Sequence, residues 1–354
     1  MNVMVTMKEI AARCGCSVAT VSKALNHMRD IGPDTARRIR AMALEMGYAP
    51  NAAARTLKTN RSHVIGLLLF LRGESVWNHE FFGSIANGVQ NAANAAGYDI
   101  APINAADSAL CGRFLEHCRS RGYDGIILMS AGLDNDDLRR LVNSEIPAVT
   151  IDYTFNHTAA VLSDNAQGMR DLTAYVLSRG HRRVAVIYGD DTTVTRNRLA
   201  SFYATCRRFG VEVPDSWVHA SLYRDPEDSA RITRRLLEQP VLPTCIFYPD
   251  DQSCLGGMSA ILERGLRIPQ DISVVGYDGV RLSQLVRPRI TTLKQDSERI
   301  GQCAGEMVVR AIEYPREFVP EHITLPGSVW PGETVADLTA ENPISLASAQ
   351  EPWQ

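Results

Sequence analysis

Long apolar runs are absent from this chain of 354 residues. The longest one, from Val64 to Leu71, is far shorter than the roughly 20 residues that a membrane-spanning helix needs. It does not lie at the N terminus, and no small-residue cleavage site accompanies it. We therefore expect neither a membrane span nor a signal peptide, and we expect the protein to be cytoplasmic.

Paired cysteine motifs are also missing. The eight cysteines form no CxxC pair and show no framework spacing, which favours reduced thiols over disulfides. Cys14-Gly-Cys16 alone is poor evidence for a metal site. The sequence thus predicts neither a metal nor a cofactor.

Common catalytic signatures are missing as well. The chain has no Gly-x-Ser-x-Gly, Gly-x-x-x-x-Gly-Lys, Gly-x-Gly-x-x-Gly or His-Glu-x-x-His motif. His79-Glu80 comes nearest to the last of these, but it is followed by Phe81-Phe82-Gly83. We therefore expect a protein that is not an enzyme.

Charge is distributed unevenly along the chain. Residues 1–63 contain ten Lys or Arg against four acids, whereas the remaining 27 basic and 36 acidic residues give a net charge of -9. A basic head can meet a polyanion that an acidic body would repel. A small helical bundle with a positive surface would show the same asymmetry, so charge alone leaves both interpretations open.

The head has the pattern of short helices. Thr6-Met7-Lys8-Glu9 has the form of a capping box, which predicts a helix from Met7 that ends at Gly15. Ser17 caps a predicted second helix from Val18 to Leu25, and the turn between the two contains glycine, as in a helix-turn-helix.

A third helix is predicted from Gly32-Pro33-Asp34 to Gly47. The next stretch, Tyr48 to Lys58, is compatible with a helix after Pro50 but offers almost no apolar face. An isolated helix this short is marginal in water, so it needs a partner to order it. DNA, together with the same segment of a second chain, would provide one.

From His63 onward, apolar strand-like runs alternate with amphipathic helices. Continuous apolar strands followed by crossover helices imply parallel sheets covered on both faces. In such folds ligands gather at the carboxyl ends of the strands. The predicted strands are Val64 to Phe70, Tyr98 to Ile103, Gly125 to Met129, Ala148 to Ile151, Val184 to Tyr188, Cys245 to Tyr248 and Ile272 to Gly276.

Several motifs resemble the LacI/GalR family of transcriptional regulators over roughly residues 5 to 338. The head carries Thr6 to Ala11, Ser17 to Asn26, Gly47 to Asn51 and Ala54 to Leu57. The body carries Ser163-Asp164-Asn165, Gly180-His181-Arg182-Arg183-Val184 and Ile272 to Asp278. The resemblance implies an all-α helix-turn-helix head with a hinge helix, followed by an α/β periplasmic-binding-protein-like domain with two Rossmann-like lobes of parallel sheet.

The domain limits follow from the same resemblance. We expect a DNA-binding domain at 1–49, a hinge at 50–61, an effector-binding and dimerisation domain at 62–340 and a tail at 341–354. Lobe 1 is expected at about 62–162 and 292–322, and lobe 2 at about 163–291 and 323–340. The tail has no heptad repeat, which favours a homodimer over a helical tetramer.

DNA contacts are also implied by the resemblance. Val18, Ala19 and Lys23 match base-reading positions in the major groove, and Leu57 matches an apolar wedge in the minor groove. Thr6, Ser17, Ser22 and Asn26 are expected to hold phosphates. The resemblance also assigns to the DNA interface Thr20, Asn51, Ala54, Arg55 and Lys58.

Polar side chains at predicted strand ends form the candidate effector site. Asp152, Asp250 and Asp278 each follow an apolar strand, and Arg198 is predicted at the start of a helix. All four match effector-contacting positions of the family, as do Phe82 and Tyr223; His79 is a weaker match. For any single Asp at a strand end, a helix cap is the alternative role, and Phe82 is equally compatible with a core position.

The chain departs from the family's pattern in three places. Asp250 replaces the usual Asn and Gly279 the usual Asp, and a basic residue common near Trp330 to Thr334 is missing. An ionised carboxylate only accepts hydrogen bonds. Three carboxylates and one guanidinium suit a neutral ligand rich in hydroxyl donors, so we expect a sugar, with a nucleoside or purine as the rival.

Together these patterns predict a homodimeric, sequence-specific regulator, acting as a repressor on a pseudo-palindromic double-stranded DNA operator and controlled by a small effector. A sugar-processing enzyme that uses two of Asp152, Asp250 and Asp278 as acid and base is the alternative from another class. The sequence does not indicate which effector binds, whether it induces or corepresses, or which genes are controlled.

Overall fold

The computed structural model describes residues 5–25, 30–48, 61–69, 79–104, 112–129 and 136–340. The chain divides into two compact units, Met1–Ser62 and His63–Gln354. In its described part, the first unit consists of helices α1 (Met7–Cys14), α2 (Val18–Leu25) and α3 (Pro33–Glu45). The three predicted helices of the head are thus confirmed.

The helices of the first unit share one small core. Ile10, Val21 and Ile39, one from each helix, have no exposed surface. Gly15 ends α1 with a φ of 63°, a left-handed conformation that glycine adopts at little cost. This turn sets α2 against α1 and leaves the remaining face of α2 outside the core.

Strands and helices alternate through the second unit, as predicted. Its strands are β1 (Val64–Leu69), β2 (Asp99–Asn104), β3 (Gly125–Met129), β4 (Ala148–Ile151), β5 (Ala159–Ser163), β6 (Val184–Tyr188), β7 (Val218–Ala220), β8 (Cys245–Phe247), β9 (Ser273–Asp278), β10 (Thr291–Lys294), β11 (His322–Leu325) and β12 (Ser328–Trp330). Its helices are α4 (Glu80–Ala95), α5 (Phe114–Arg121), α6 (Asp136–Val142), α7 (Asn165–Leu177), α8 (Thr193–Arg208), α9 (Pro226–Leu236), α10 (Asp251–Glu263), α11 (Leu282–Leu285) and α12 (Ser297–Glu313).

These strands form two sheets. The first has the order β11-β5-β4-β3-β1-β2 and the second the order β12-β10-β9-β8-β6-β7. All the described pairs are parallel except β10 with β12. Along β3, Ile127 joins one apolar cluster while Ile126 and Leu128 join another, so the first sheet is covered on both faces. The predicted two-lobed α/β fold is confirmed.

The chain passes between the sheets three times, and this moves two of the expected lobe limits. Because β10 pairs with β9, lobe 2 extends through Lys294 rather than ending at 291. Because β11 pairs with β5, lobe 1 includes Leu325 rather than ending at 322. Backbone pairing decides both limits, and short strands of mixed polarity give little sign of it in the sequence.

Five short strands were not predicted as strands: β5, β7, β10, β11 and β12. Two of them, β5 and β10, lie at the expected lobe limits near 162 and 291. Within the described residues, no helix is long and apolar enough to span a membrane.

Helix α12 returns to lobe 1 and packs closely on α4. A Cβ on Gly88 would collide with the carbonyl oxygen of Glu298, and a Cβ on Gly301 would collide with that of Ile85. Glycine at both positions therefore allows the two helix backbones to touch. This contact fixes α4, whose first turn carries His79, Glu80 and Phe82 at the cleft.

Candidate nucleic-acid interface and effector cleft

The N terminus of α1 has the predicted capping box. The Glu9 amide donates to Thr6 Oγ1 at 3.4 Å, and the Thr6 amide donates to Glu9 Oε2 at 2.6 Å. The Thr6 hydroxyl also donates to Glu9 Oε2, at 3.0 Å. This hydroxyl, which we expect to hold phosphate, is therefore engaged within its own helix.

Helix α2 presents a polar and small-residue face outside the core. Val21 and Ala24 are buried, whereas Val18 is 41% exposed, and Ala19 and Lys23 are exposed too. Ser17 Oγ accepts from the Thr20 amide at 3.0 Å and so caps the helix. The side chains predicted to read bases are thus those that the core leaves outside.

Lys23 carries an ion pair that was not predicted from the sequence. Its Nζ lies 2.5 Å from Asp30 Oδ2, and both side chains are about half exposed. The ammonium holds the pKa of Asp30 below its usual range. An exposed pair of this kind contributes little stability, so Lys23 is readily released to another acceptor.

Two other cations of the head stabilise helix ends. The Arg38 guanidinium donates to the carbonyl of Cys14, the last residue of α1, and Arg40 donates to the carbonyl of Ala24 in α2. The remaining predicted DNA contacts lie outside the described residues: Asn26, Asn51, Ala54, Arg55, Leu57 and Lys58.

Arg198 is the centre of the candidate effector cleft. It is 7% exposed; its Nε donates to Asn165 Oδ1 at 2.7 Å, and its Nη1 donates to the Pro249 carbonyl at 3.1 Å. Its placement at the start of a helix is wrong. Thr192 caps α8, so Arg198 lies in the second turn, after a polar stretch that hid the true start.

Two carboxylates from different lobes approach this guanidinium. Asp278 Oδ1 lies 4.0 Å from Arg198 Nη2 and accepts from Gln295 Nε2 at 2.8 Å. Asp152 accepts from the Ser163 amide and hydroxyl at 2.6 and 3.1 Å. Burial raises the pKa of Asp278 to about 6, against the lowering effect of Arg198, and burial raises the pKa of Asp152.

The backbone at both carboxylates is unusual. Asp152 has a φ of 58° and Asp278 a φ of 95°, values that non-glycine residues seldom adopt. Conformations of this kind cost on the order of 1–3 kcal/mol and cluster at functional sites. The two carboxylates are therefore held by their surroundings in positions that the local chain does not prefer.

Asp250 serves as the cap of α10. Its carboxylate accepts from the Ser253 amide at 2.8 Å, the Ser253 hydroxyl at 2.9 Å and the Arg224 amide at 2.8 Å. It is only 2% exposed. The alternative role of a carboxylate at a strand end, a helix cap, thus applies to Asp250. An effector contact by this residue stays a prediction.

His79 and Phe82 belong to the first turn of α4. His79 Nδ1 accepts from the Phe82 amide at 3.2 Å, which caps the helix. Burial, with a smaller effect of the Arg224 charge, lowers the pKa of His79 to about 3, so the ring is neutral. With Nδ1 as the acceptor, the proton is on Nε2. Phe82 is half-buried, and the Arg224 guanidinium carbon lies 5.2 Å from its ring centroid.

Tyr223 completes the set on the second lobe. Its hydroxyl lies 2.8 Å from Thr195 Oγ1, and its ring centroid lies 5.9 Å from the Arg198 guanidinium carbon. A Cβ on Gly189 would collide with the Tyr223 ring, so glycine lets this ring lie against the chain. Arg198 thus has Tyr223 and Asp278 near it, while His79, Asp250 and Asp278 border one small space between the lobes.

Several residues of the cleft were not predicted from the sequence. Asn165 and Tyr277 lie in motifs that were recognised, yet their contacts with Arg198 were not foreseen. No sequence pattern indicated a role in the cleft for Glu80, Arg224 or Gln295. Their roles depend on how the chain crosses between the lobes. Among the described residues, no group of three or more His, Cys, Asp or Glu side chains is arranged to hold a metal ion.

Comparison with known proteins places this architecture in a family. The model of bacterial regulatory proteins of the lacI family matches residues 6–51, and that of a periplasmic binding protein-like domain matches residues 173–335. The chain is 30% identical to the HTH-type transcriptional repressor PurR of Pasteurella multocida (strain Pm70) over 89% of this chain and 94% of that protein. It is also 30% identical to the ribose operon repressor of Escherichia coli (strain K12), over 88% and 94% respectively.

A solved structure shows the same fold. The lac repressor dimer bound to operator and the anti-inducer ONPF superposes with a TM-score of 0.79 and 23% identity, covering 94% of this chain and all of that one. The expected resemblance is thereby confirmed: the chain belongs to the lacI family of bacterial regulatory proteins, whose relatives here are transcriptional repressors.

Proposed function

We propose that the protein is a homodimeric repressor that binds a pseudo-palindromic operator and changes its operator affinity when a neutral, hydroxyl-rich effector enters the cleft between its lobes. The observation that carries the proposal is the buried Arg198, fixed by Asn165 and Pro249 and approached by Asp152 and Asp278. The helix-turn-helix supplies the DNA-binding element. Residues 1–49 are its proposed domain, with a hinge at 50–61 and a tail at 341–354.

A sugar fits this cleft better than an anion. Carboxylates accept from hydroxyl groups, and the guanidinium donates to hydroxyl or ring oxygens. The half-buried ring of Phe82 offers an apolar face to a pyranose or furanose. An anionic effector would meet the carboxylates of Asp152, Asp250 and Asp278, and two of the five N–H donors of Arg198 are already committed to Asn165 and Pro249.

Catalysis has less support. A glycosidase needs one carboxyl group as an acid and a second as a base or nucleophile, each with access to the substrate. Asp250 is 2% exposed, and its oxygens accept from Ser253 and Arg224. The relatives are named as repressors rather than enzymes.

A two-part experiment tests the proposal. Thermal unfolding of the full chain is first followed with a panel of pentoses, hexoses, disaccharides and nucleosides, because a ligand specific for the folded state raises Tm. Genomic fragments are then selected by the protein and competed with random duplex. A sugar that raises Tm and alters affinity for a selected fragment is the expected result. If only nucleosides raise Tm, the proposed sugar effector is replaced by a nucleoside. If the protein prefers no genomic fragment over random duplex, the proposed repressor function is overturned.

Turnover and assembly are checked in the same preparations. The sugars that raise Tm should be chemically unchanged after incubation with the protein. Product formed at an enzymatic rate would instead support the alternative of a sugar-processing enzyme. Sedimentation should show a dimer, whereas a stable tetramer would contradict the proposed assembly.

A further inference from the structure

The two lobes are in contact across the cleft. Among the described residues, a small space of about 20 Å³ lies between them, bordered by His79, Asp250 and Asp278 among others. A volume of this size holds about one water molecule. This space is too small for a sugar, so a sugar that contacts both His79 and Asp278 there requires the lobes to separate.

One contact across the cleft is made by Glu80. This residue is the first of α4 in lobe 1, and its carboxylate accepts from the backbone amides of Arg281 and Leu282 in lobe 2, the latter at 3.4 Å. Hydrogen bonds to an ionised carboxylate are stronger than those between neutral groups. Glu80 therefore joins the lobes directly at the edge of the cleft.

The segment that supplies these amides, residues 279–282, reaches towards lobe 1. Val280 packs against the apolar core of lobe 1, and its amide donates to the buried carboxyl of Asp251 at 2.9 Å. Gly279 has a φ of 69°, and a Cβ there would collide with the Lys294 backbone. Glycine at this position lets the segment pass close to Lys294.

A second contact across the cleft is made by Arg224. Its guanidinium lies over the Phe82 ring at 5.2 Å, and within the described residues that guanidinium makes no hydrogen bond or ion pair. The residue has a φ of 59°, and its amide donates to Asp250. The preceding Tyr223 is anchored through Thr195 and Asp190. The turn thus holds a strained residue whose cation covers the ring face that a sugar would use.

We propose that Glu80 and Arg224 are an internal latch that keeps the cleft closed without effector, so that an effector binds in exchange for their contacts. This inference rests on the proposed function, because it concerns entry to the same cleft. When a protein spends part of its time in a closed state that cannot bind, its apparent affinity for the ligand is the intrinsic affinity multiplied by the fraction in the open state. The latch therefore sets effector affinity even though its residues need not touch the effector.

Hydrogen exchange tests the latch without any effector. In the full chain, Glu80→Ala should increase the exchange rate of the Arg281 and Leu282 amides, which lose their acceptor. Glu298→Ala is the matched control: Glu298 is also an exposed acid in the first turn of a lobe 1 helix, α12. Unchanged exchange at 281 and 282 in Glu80→Ala, or an equal increase in the control, would overturn the latch.

Effector affinity tests the second half of the proposal. Glu80→Ala and Arg224→Ala should each bind D-ribose, or the sugar that raises Tm most, roughly two- to tenfold more tightly by calorimetry, since an exposed latch contributes modestly. Arg235→Ala, on an exposed position of α9, is the control for Arg224. Equal or weaker binding by both latch variants would overturn the proposal and make these residues ordinary contacts. If no sugar binds any variant, the sugar proposal fails, while the exchange result still decides the latch.

Discussion

Arg198 lies flat on Tyr277, with its guanidinium carbon 3.5 Å from the ring centroid. This stacking, together with the bonds to Asn165 and Pro249, leaves the cation no freedom to change direction. The cleft therefore has a hydrogen-bond donor in a fixed orientation near its carboxylates. The guanidinium must be planar to stack on Tyr277 in this way. A lysine has the charge but neither the planar fork nor the stacking.

Arg198→Lys should abolish the Tm increase produced by the effector while the protein still binds operator. The expected loss of effector affinity is at least tenfold, because lysine cannot replace a stacked, multiply bonded guanidinium. Arg196→Lys is the control, since Arg196 is an exposed residue of the same helix and pairs with Asp191. A normal effector response in Arg198→Lys would remove Arg198 from the site.

Asp30→Asn should strengthen operator binding, because it releases Lys23 from its partner at 2.5 Å. An exposed pair is worth about 0–1 kcal/mol, so we expect an increase of up to about fivefold in affinity at low salt. Asp34→Asn removes the same charge from the head but releases Arg37 instead. Binding isotherms of the two variants should differ; if both gain equally, general electrostatics rather than Lys23 explains the change.

Leu57→Ala should weaken operator binding strongly and leave effector affinity unchanged. An apolar wedge between base steps permits a bent duplex with more protein contact, and alanine is too short for this role. Leu44→Ala is the control within the head, because Leu44 is 84% exposed and has no expected DNA role. Equal operator affinity for Leu57→Ala and the wild type in a gel-shift titration would contradict the wedge.

Stability should fall as pH is lowered, in part because of His181. Its two ring nitrogens lie 3.0 Å from Thr244 Oγ1 and 3.2 Å from the Ala336 carbonyl oxygen, and burial lowers its pKa to about 4. The unfolded chain takes up a proton at about 6.5 but the folded chain does not until about 4, so each pH unit in this window costs about 1.4 kcal/mol.

Urea unfolding of wild type and His181→Gln at pH 7.5 and pH 5 measures this effect. Above pH 6.5 the stabilising contribution of the neutral ring is complete, so only the variant's lost contacts should separate the two proteins. At pH 5 the difference in free energy of unfolding between wild type and His181→Gln should be smaller, because only the wild type loses the contribution of the neutral ring. Asp278, whose raised pKa of about 6 acts in the opposite direction, cancels in the difference. A gap that stays constant with pH would show that His181 is protonated in the folded state.

The sequence predicted the parts of the fold that have strong local patterns. Buried runs such as Gly125 to Met129 and Val184 to Tyr188 were located at their observed limits, since fully apolar strands bounded by polar turns are unambiguous. The polar start of α8 and the short strand β10, Thr291–Lys294, were not, because their stability comes from neighbours distant in the chain.

The site was predicted in the same uneven way. Arg198 and Asp278 lie 4.0 Å apart, while the effector contacts of these residues and of Asp152 stay predictions. Asp250 caps a helix. A carboxylate that follows a strand is equally suited to this role and to contacting a ligand, so the sequence pattern does not distinguish the two. Arg224 and Asp30 escaped notice because a charged side chain in a turn has no periodic signal, and only its position shows what it touches.

The triple crossing between the lobes has a consequence during synthesis. The first sheet lacks its last strand until Leu325 is made, and the second lacks β12 until Trp330 is made. Neither lobe can therefore finish folding before the ribosome has added these last strands. The three-helix head, in contrast, can fold as soon as it emerges from the ribosome. A truncated translation product would then consist of a finished head attached to an unfinished body that cannot sense a metabolite.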